Sequence, residues 1–323
     1  MRRIVLSALL LTAVAILGLF YGAASVDHIW RYILNPTLDS ASTAHQIIWQ
    51  IRAPRVAAAI AVGASLGIAG VLAQGSTNNP LADPAILGTS AGASLGVLIG
   101  VLANIAPIGS VGAVICATIG ALLVTLFVFS LARSALQLIT IGIGTSAIVS
   151  AVVGLIISAI TRPDARSISF WSFGSFALVT PGNLAVLLPV LVACSIAAWR
   201  VAPQVDLLSL GDNSVRHIGR EPQRIRLKAF SILSLLVATA VSTVGSIAFL
   251  ALAAPHIARY INGPRNRPLV IHAGLIGATI LLVADTASRS LIPPHEFPIG
   301  LITSLIGAPI LIATLKRGGD VWR

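Results

Sequence analysis

From Ile4 to Gly22 the chain runs 19 residues without a charge, and runs of this kind recur to its end. A helix rises 1.5 Å per residue, so about 20 apolar residues cross a hydrocarbon layer of ~30 Å. Only 10% of the 323 residues are charged and 56% are hydrophobic, against about 25% charged in a soluble domain. A soluble fold of this length cannot hide that much apolar surface, so most of the chain is expected to have lipid as its solvent. One run, 229–258, is too long for one upright helix, and Gly245 and Ser246 are placed to break it. The chain therefore reads as an all-α polytopic membrane protein, a single transmembrane domain over 1–323. Its ten spans are expected near 4–22, 56–74, 85–103, 108–132, 135–160, 184–199, 227–244, 247–260, 268–288 and 297–315.

Charge decides between nine spans and ten. Arg2 and Arg3 open the chain and Lys316, Arg317 and Arg323 close it; if both ends are cytoplasmic the count is even. Ten spans put 15 of the 21 basic residues inside and leave Arg31, Arg52, Arg55, Arg162, Arg166 and Arg289 outside, as the positive-inside rule requires. The net charge of +11 thus reads as orientation rather than nucleic-acid binding. The first run could also be a signal peptide, but the many spans that follow favour a retained helix. Cys116 and Cys194 lie inside apolar runs, so neither a disulfide frame nor a metal cluster is implied.

The stretch NNPLADPAILGTSAG, 78–92, interrupts this pattern as a cytoplasmic turn between spans two and three. Pro80 and Pro84 cannot continue an upstream helix. Asn79 and Asp83 can satisfy loose backbone N–H groups, with Asp83 placed to cap the third span. Beyond it, Gly88, Gly92, Gly96 and Gly100 recur every fourth residue along one face, and GASLG occurs at both 63–67 and 92–96. Such ridges let helix backbones approach closely in lipid; a thin face bordering a passage is the other reading.

No GxxxxGK[ST], HExxH, CxxC or GxSxG is present, so the chain is expected to have no catalytic centre, no metal and no nucleotide-hydrolysing loop of its own. Asp285 near the end of span nine is a thin basis for ion coupling, which usually uses carboxylates near mid-membrane. A hydrogen-bonding role suits it better; if the chain is a transporter, its energy source is then expected on another subunit. The one sizeable polar island is 202–228, cytoplasmic in this topology. DLLSLGDNSVRHIG reads as a short amphipathic helix ended by Gly219, and REPQRIRL as the start of a second, with Pro222 in its first turn. The pair is either a docking knob for a soluble partner or a solvated basic loop that holds orientation.

RAPRVAAAIAVGASLGIAGVLAQGSTNNPLADPAILGTSAGASLG, from Arg52, resembles the membrane-subunit signature of the FecCD family, the ABC-importer permeases for iron–siderophores, haem and cobalamin. FWSFGSF, LLSLGDNSVRHIGREPQRIR, GSIAFLALAAPHIARYINGPRNR, GATILLVADTASR and HEFPIGLITSLIGAPILIATLKR extend the resemblance in order over nearly the whole chain from about residue 46. NNPLADPAILG is closest to the ferric-citrate and catecholate siderophore members, while LALAAPH departs from the commoner spelling at its site. The resemblance implies ten spans in two pseudo-repeated five-helix halves. It also implies a permease homodimer or heterodimer, two cytoplasmic ATPase subunits that use the ATP, and a periplasmic or lipid-anchored binding protein. The locale is the bacterial inner membrane, with both termini cytoplasmic.

By the same resemblance Arg52 and Arg55, of the RxPR motif, and Arg289 face the periplasm and pair with glutamates of the binding protein. Residues 208–227 match the coupling helices between spans six and seven that sit in a cleft of the ATPase. The positions concerned are Leu210, Gly211, Asp212, Arg216, Gly219, Arg220 and Glu221. Thr145, Ser146 and Ser150 on span five suit the wall of a central passage, or equally a helix-packing face. The expected function is import of an iron–siderophore complex, with haem or cobalamin as the alternative cargo. An ion-driven secondary transporter or a membrane enzyme would need an essential coupling carboxylate or a converging catalytic cluster.

Overall fold

A computed structural model describes residues 2–22, 24, 26, 28–35, 42–85, 87–108, 110–160, 165–291 and 295–317. Arg162 and Arg323, counted above in the charge asymmetry, lie outside them. Among the described residues all regular structure is helical. In chain order the helices are α1 (Arg2–Phe20), α2 (Ile29–Leu34), α3 (Thr43–Gln46), α4 (Ala53–Thr77), α5 (Thr89–Leu102), α6 (Val111–Leu131), α7 (Ala135–Ala159), α8 (Ala165–Ser172), α9 (Pro181–Leu207), α10 (Asp212–His217), α11 (Pro222–Val244), α12 (Leu250–Asn262), α13 (Asn266–Ser290) and α14 (Ile299–Arg317). Seven stretches are long and apolar enough to cross a membrane: α1, 43–77, α6, α7, 181–210, α11 and α13. α5 and α12, at 14 and 13 residues, reach only about 20 Å.

α4 is the axis of the bundle. It is almost wholly buried, against α13, α11, α9 and α12, while α1 and α7 are buried on hardly any of their surface. Leu6, Leu136, Leu155 and Leu305 are each at least 70% exposed, as expected where lipid is the solvent and the helices satisfy their own backbone. Small residues set the helix spacing. A Cβ on Gly63 would lie 2.5 Å from the Gly277 carbonyl, and one on Gly67 2.1 Å from that of Ala273, which seats α13 on α4. The second GASLG seats α5 on α6 in the same way: a Cβ on Gly92 would meet the Gly120 carbonyl at 2.5 Å, and one on Gly96 that of Cys116 at 2.1 Å. Gly88 stands outside this ridge, as the left-handed residue before α5, with φ +86°.

Several expected boundaries move. The second span begins well before residue 56, because α3, a π-helical turn at Ile47–Arg52 and α4 form one continuous rod. Pro54 lacks the N–H that would bond four residues back, and the chain is wide just before it. Arg52 and Arg55, expected to flank a span, are inside this rod. α9 likewise carries Arg200 within it and runs eight residues past the expected end at 199. The long run does break at Gly245, where φ is +78° and a Cβ would fall 1.9 Å from the Trp171 carbonyl; α12 then continues through Pro255 to Asn262.

Candidate functional site

Polar groups gather at the two ends of α4, which its 25 residues set about 37 Å apart. At the first end α4, α13 and the segment after α1 meet. Arg55 Nε donates to Asp285 Oδ1 at 2.8 Å and its Nη1 to Glu296 at 3.0 Å. Arg289, one turn after Asp285 on α13, donates its Nε to Asp285 Oδ2 at 3.2 Å. Its two other nitrogens reach the carbonyls of Tyr21 and Gly18. Arg52 donates Nη1 to the Leu19 and Phe20 carbonyls, both at 2.9 Å, and Nη2 to that of Ala24. The cluster therefore pins α1 to α4 and α13.

All three motif arginines converge here, but not as rim charges: Arg52, Arg55 and Arg289 are 3, 6 and 3% exposed and Asp285 is fully buried. The carboxylates draw two guanidiniums inward, and helix-end carbonyls draw the third. Three guanidiniums against two carboxylates leave one net positive charge. Glu296, whose side chain is 29% exposed, is the open member. Composition alone could have flagged it, because Asp285 and Glu296 are the only acids between residues 229 and 317.

At the other end the expected amphipathic helix over 206–219 is not continuous. α9 carries through Leu207, a 3-10 turn spans Leu208–Leu210, and Gly211 at φ +85° separates this turn from the six-residue α10. The expected second short helix is the start of α11 itself, with Pro222 in its first turn. Leu208 and Val215 anchor the segment in the core, while Leu210, Arg216, Ile218, Arg220 and Glu221 are exposed. Arg216 and Glu221 stand 3.9 Å apart with both side chains about half exposed, a pair worth little. Gly219 has φ +74°, and a Cβ there would meet nothing within 4 Å.

What sequence reading missed at this end is Arg226. Buried on α11, it donates two hydrogen bonds to Asp212, at 2.9 and 2.6 Å, and its Nε reaches the Ser76 carbonyl at the end of α4. The bonds from Arg226 hold the Asp212 carboxyl below the usual carboxylate range, against a weaker upward push from burial. Nearby, Arg259 Nη2 donates to Gln74 Oε1 at 3.2 Å, and Asp206 Oδ1 accepts from the backbone and side chain of Asn266. The end of α4 is thus tied to α10, α11 and α12.

In the turn after α4, Asn79 Oδ1 accepts from the Leu81 N–H at 2.9 Å and Pro80 and Pro84 keep the chain out of helix. Asp83 does not cap α5, which starts at Thr89; its Oδ1 accepts from the Ala85 N–H at 2.7 Å inside the turn. Burial pushes its carboxyl up to about 6, and that hydrogen bond opposes the rise. On α7, Ser146 Oγ donates to the Ala85 carbonyl at 2.6 Å. Ser150 lines a cleft of ≈ 420 Å³ with Ser90, Ser94, Ser172 and Ser246. Thr145 is half-buried and not among the residues that line the cleft.

The FecCD transport family profile matches residues 9–317. The hemin transport system permease protein HmuU of Yersinia pestis is 34% identical over 278 residues, 84% of this chain and 83% of that protein. The iron(3+)-hydroxamate import system permease protein FhuB of Bacillus subtilis is 33% identical over 309 residues, 94% of this chain and 80% of that protein. A solved structure assigned to the metal-chelate type of ABC transporter, in an inward-facing conformation, superposes with a TM-score of 0.86 at 30% identity, over 98% of this chain and 99% of that one.

Proposed function

The chain belongs to the FecCD transport family, as a multi-pass membrane permease of the ABC-importer type, and on that premise we propose that it imports a ferric siderophore. The observation that carries the reading is the whole-chain likeness to the metal-chelate transporter, which spans both polar ends and the bundle between them. A hemin transport permease 34% identical supports haem as the second cargo, and a vitamin B12 import permease 33% identical supports cobalamin behind it. Both cargoes need the same machine.

In the proposed machine ten spans cross the inner membrane with both termini in the cytoplasm. α5, α12 and α14 complete the seven longer crossings, and the helices form two five-helix halves. The arginine end then faces the periplasm and receives a binding protein. With the three guanidiniums committed inside the chain, first contact falls to Glu296 and to the single net positive charge of the cluster, and Arg52, Arg55 and Arg289 set the register beneath. Two copies of this chain, or this chain and a related one, form the pathway, with Thr145, Ser146 and Ser150 on its wall. Two ATPase subunits bind the opposite end. Exposed Leu210 and Ile218 beside Arg216 and Arg220 offer them an apolar contact with a charged rim, and Gly211 and Gly219 let that segment turn.

Uptake of radiolabelled iron by an iron-starved deletion strain, offered single chelates in turn, tests the cargo. Loss of uptake for one ferric siderophore supports the proposal. Normal uptake of every ferric siderophore with loss of haem or cobalamin uptake transfers the reading to that cargo. Retention of all of them overturns the substrate class.

A further inference from the structure

Away from both polar ends, an apolar groove of ≈ 660 Å³ opens between α1, α4, α9 and α13, with Leu11, Ile68, Val192 and Leu275 among its lining residues. Along α9 the lining runs from Leu191 to Arg200, and along α13 from Val270 to Ala278. At 1.5 Å per residue these are about 14 and 12 Å, close to half of a ~30 Å hydrocarbon layer. The groove thus occupies one leaflet. Leu11 and Ile60, near the middle of α1 and of the 43–77 rod, line its apolar part, and its other part reaches Arg200, seven residues before the end of α9, and Val270, four residues after the start of α13.

That second part is basic. Arg200 lines the groove, Trp199 beside it is 39% exposed, and the Arg267 guanidinium lies 3.6 Å over the Trp199 ring centroid. Arg200 and Arg267 are both exposed, and among the described residues neither has a carboxylate within ion-pair distance. Indole rings favour the headgroup level, and basic residues at such pockets attract anionic headgroups. A planar guanidinium suits a phosphate oxygen pair.

We propose that this groove holds an anionic phospholipid, with an acyl chain between α1, α9 and α13 and its headgroup phosphate on Arg200 and Arg267. Charge complementarity singles out this occupant: two uncompensated guanidiniums at the mouth of an apolar slot one leaflet deep match a single acidic amphiphile. A second copy of the chain would have to bury them against an anion of its own. Under the proposed orientation the lipid belongs to the cytoplasmic leaflet, but the site stands in either orientation. It would also add contact at the middle of α1, whose hold on the bundle from the arginine cluster lies at its end.

Native mass spectrometry of the full chain, purified with equal amounts of phosphatidylglycerol and phosphatidylcholine, tests this. The wild type should retain phosphatidylglycerol preferentially. Arg200→Ala with Arg267→Ala should lower that adduct more than tenfold and leave phosphatidylcholine unchanged, while the corresponding pair of lysine substitutions should keep the preference. Gly274→Leu should strip both lipids, because a Cβ there meets Ile68 only at an ordinary 3.5 Å and the side chain extends into the groove. Equal retention of the two lipids by the wild type, or an unchanged adduct in the alanine pair, overturns the proposal. So does loss of an oligomer in Gly274→Leu with lipid retention intact, which would seat a second copy in the groove.

Discussion

The two ends of α4 solve the same problem in opposite ways. Each must hold buried arginine in a helix bundle with few acids. At the first end Asp285, fully buried, is shared by Arg55 and Arg289, and helix-end carbonyls take the remaining donors. At the second, Arg226 is buried but its partner Asp212 keeps a side chain 32% exposed and sits on a six-residue helix between two glycines of positive φ. The closed end is over-determined by three elements; at the open end α4 is still tied to α11 and α12, but α10 itself hangs on one carboxylate between two glycines. Under the proposed orientation, the stiff end is the one that receives the binding protein and the movable end the one the ATPases drive.

The largest effect should come from breaking the closed end. Asp285→Ala leaves two desolvated guanidiniums without their shared acid, and removing one partner of a buried pair costs roughly 3–5 kcal/mol. The purified chain should lose its cooperative thermal transition or express poorly. A variant as stable as Asp212→Ala would erase the difference between the ends. Second comes a pH effect beside the open end. Asp83 has its carboxyl raised from its usual value to about 6, so the folded turn prefers the protonated acid. Its contribution is fully present below the unfolded value near 4 and is lost as pH rises through about 6. The two-unit shift amounts to roughly 3 kcal/mol at most. Thermal stability should therefore fall between pH 4 and 7, and Asp83→Asn should flatten that slope. An unchanged slope in Asp83→Asn would show that the carboxylate is solvated when folded.

The helical class of the fold was plain in the sequence because lipid leaves the backbone few options; period four marked Gly92 and Gly96 as one face but did not separate packing from a passage wall, nor show that Gly88 precedes the helix. Gly245 was found by length, because the uncharged run 229–258 exceeds what one upright helix needs to cross. The arginines were less legible. A charge in an apolar chain reads as a span boundary, yet Arg52, Arg55 and Arg200 lie inside helices; Asp285, the partner of Arg55, and the carbonyls at and just after the end of α1, the partners of Arg52, are more than 25 residues away in sequence. Arg226 was hidden for the opposite reason: in a run of basic residues, Arg220 to Lys228, nothing marks which one turns inward. The break at Gly211 was missed because DLLSLGDNSVRH keeps helical spacing across it, and only the backbone shows that α10 starts afresh.

Smaller effects probe the hinge itself. Gly219→Val places a β-branched residue at φ +74°, which costs about 1–2 kcal/mol in local strain. Nothing lies within 4 Å to clash, so global stability should fall only slightly. ATP hydrolysis by the assembled complex should continue while transport per ATP drops. Normal coupling in this variant would mean that the segment moves as one body with α11.

The smallest expected change is Asp212→Asn. It keeps the shape of the contact and removes the charge, and a partly solvated pair of this kind contributes about 1 kcal/mol. The pH dependence has a definite sign. Arg226 holds the Asp212 carboxyl below its usual value, so the contribution is present above the unfolded value near 4 and is lost as pH falls through the lower folded one. This is the reverse of Asp83, and the two can be separated by titrating each single variant in the same buffer series. If Arg226 positions α10 for the ATPase, Asp212→Asn should lower the affinity of the permease for its ATPase subunits more than it lowers the unfolding temperature, because it weakens the tie on a six-residue helix while Arg226 keeps its bond to the Ser76 carbonyl. Equal losses in both would make Arg226 a core residue of α11 and α4, and the open end would then be as rigid as the closed one.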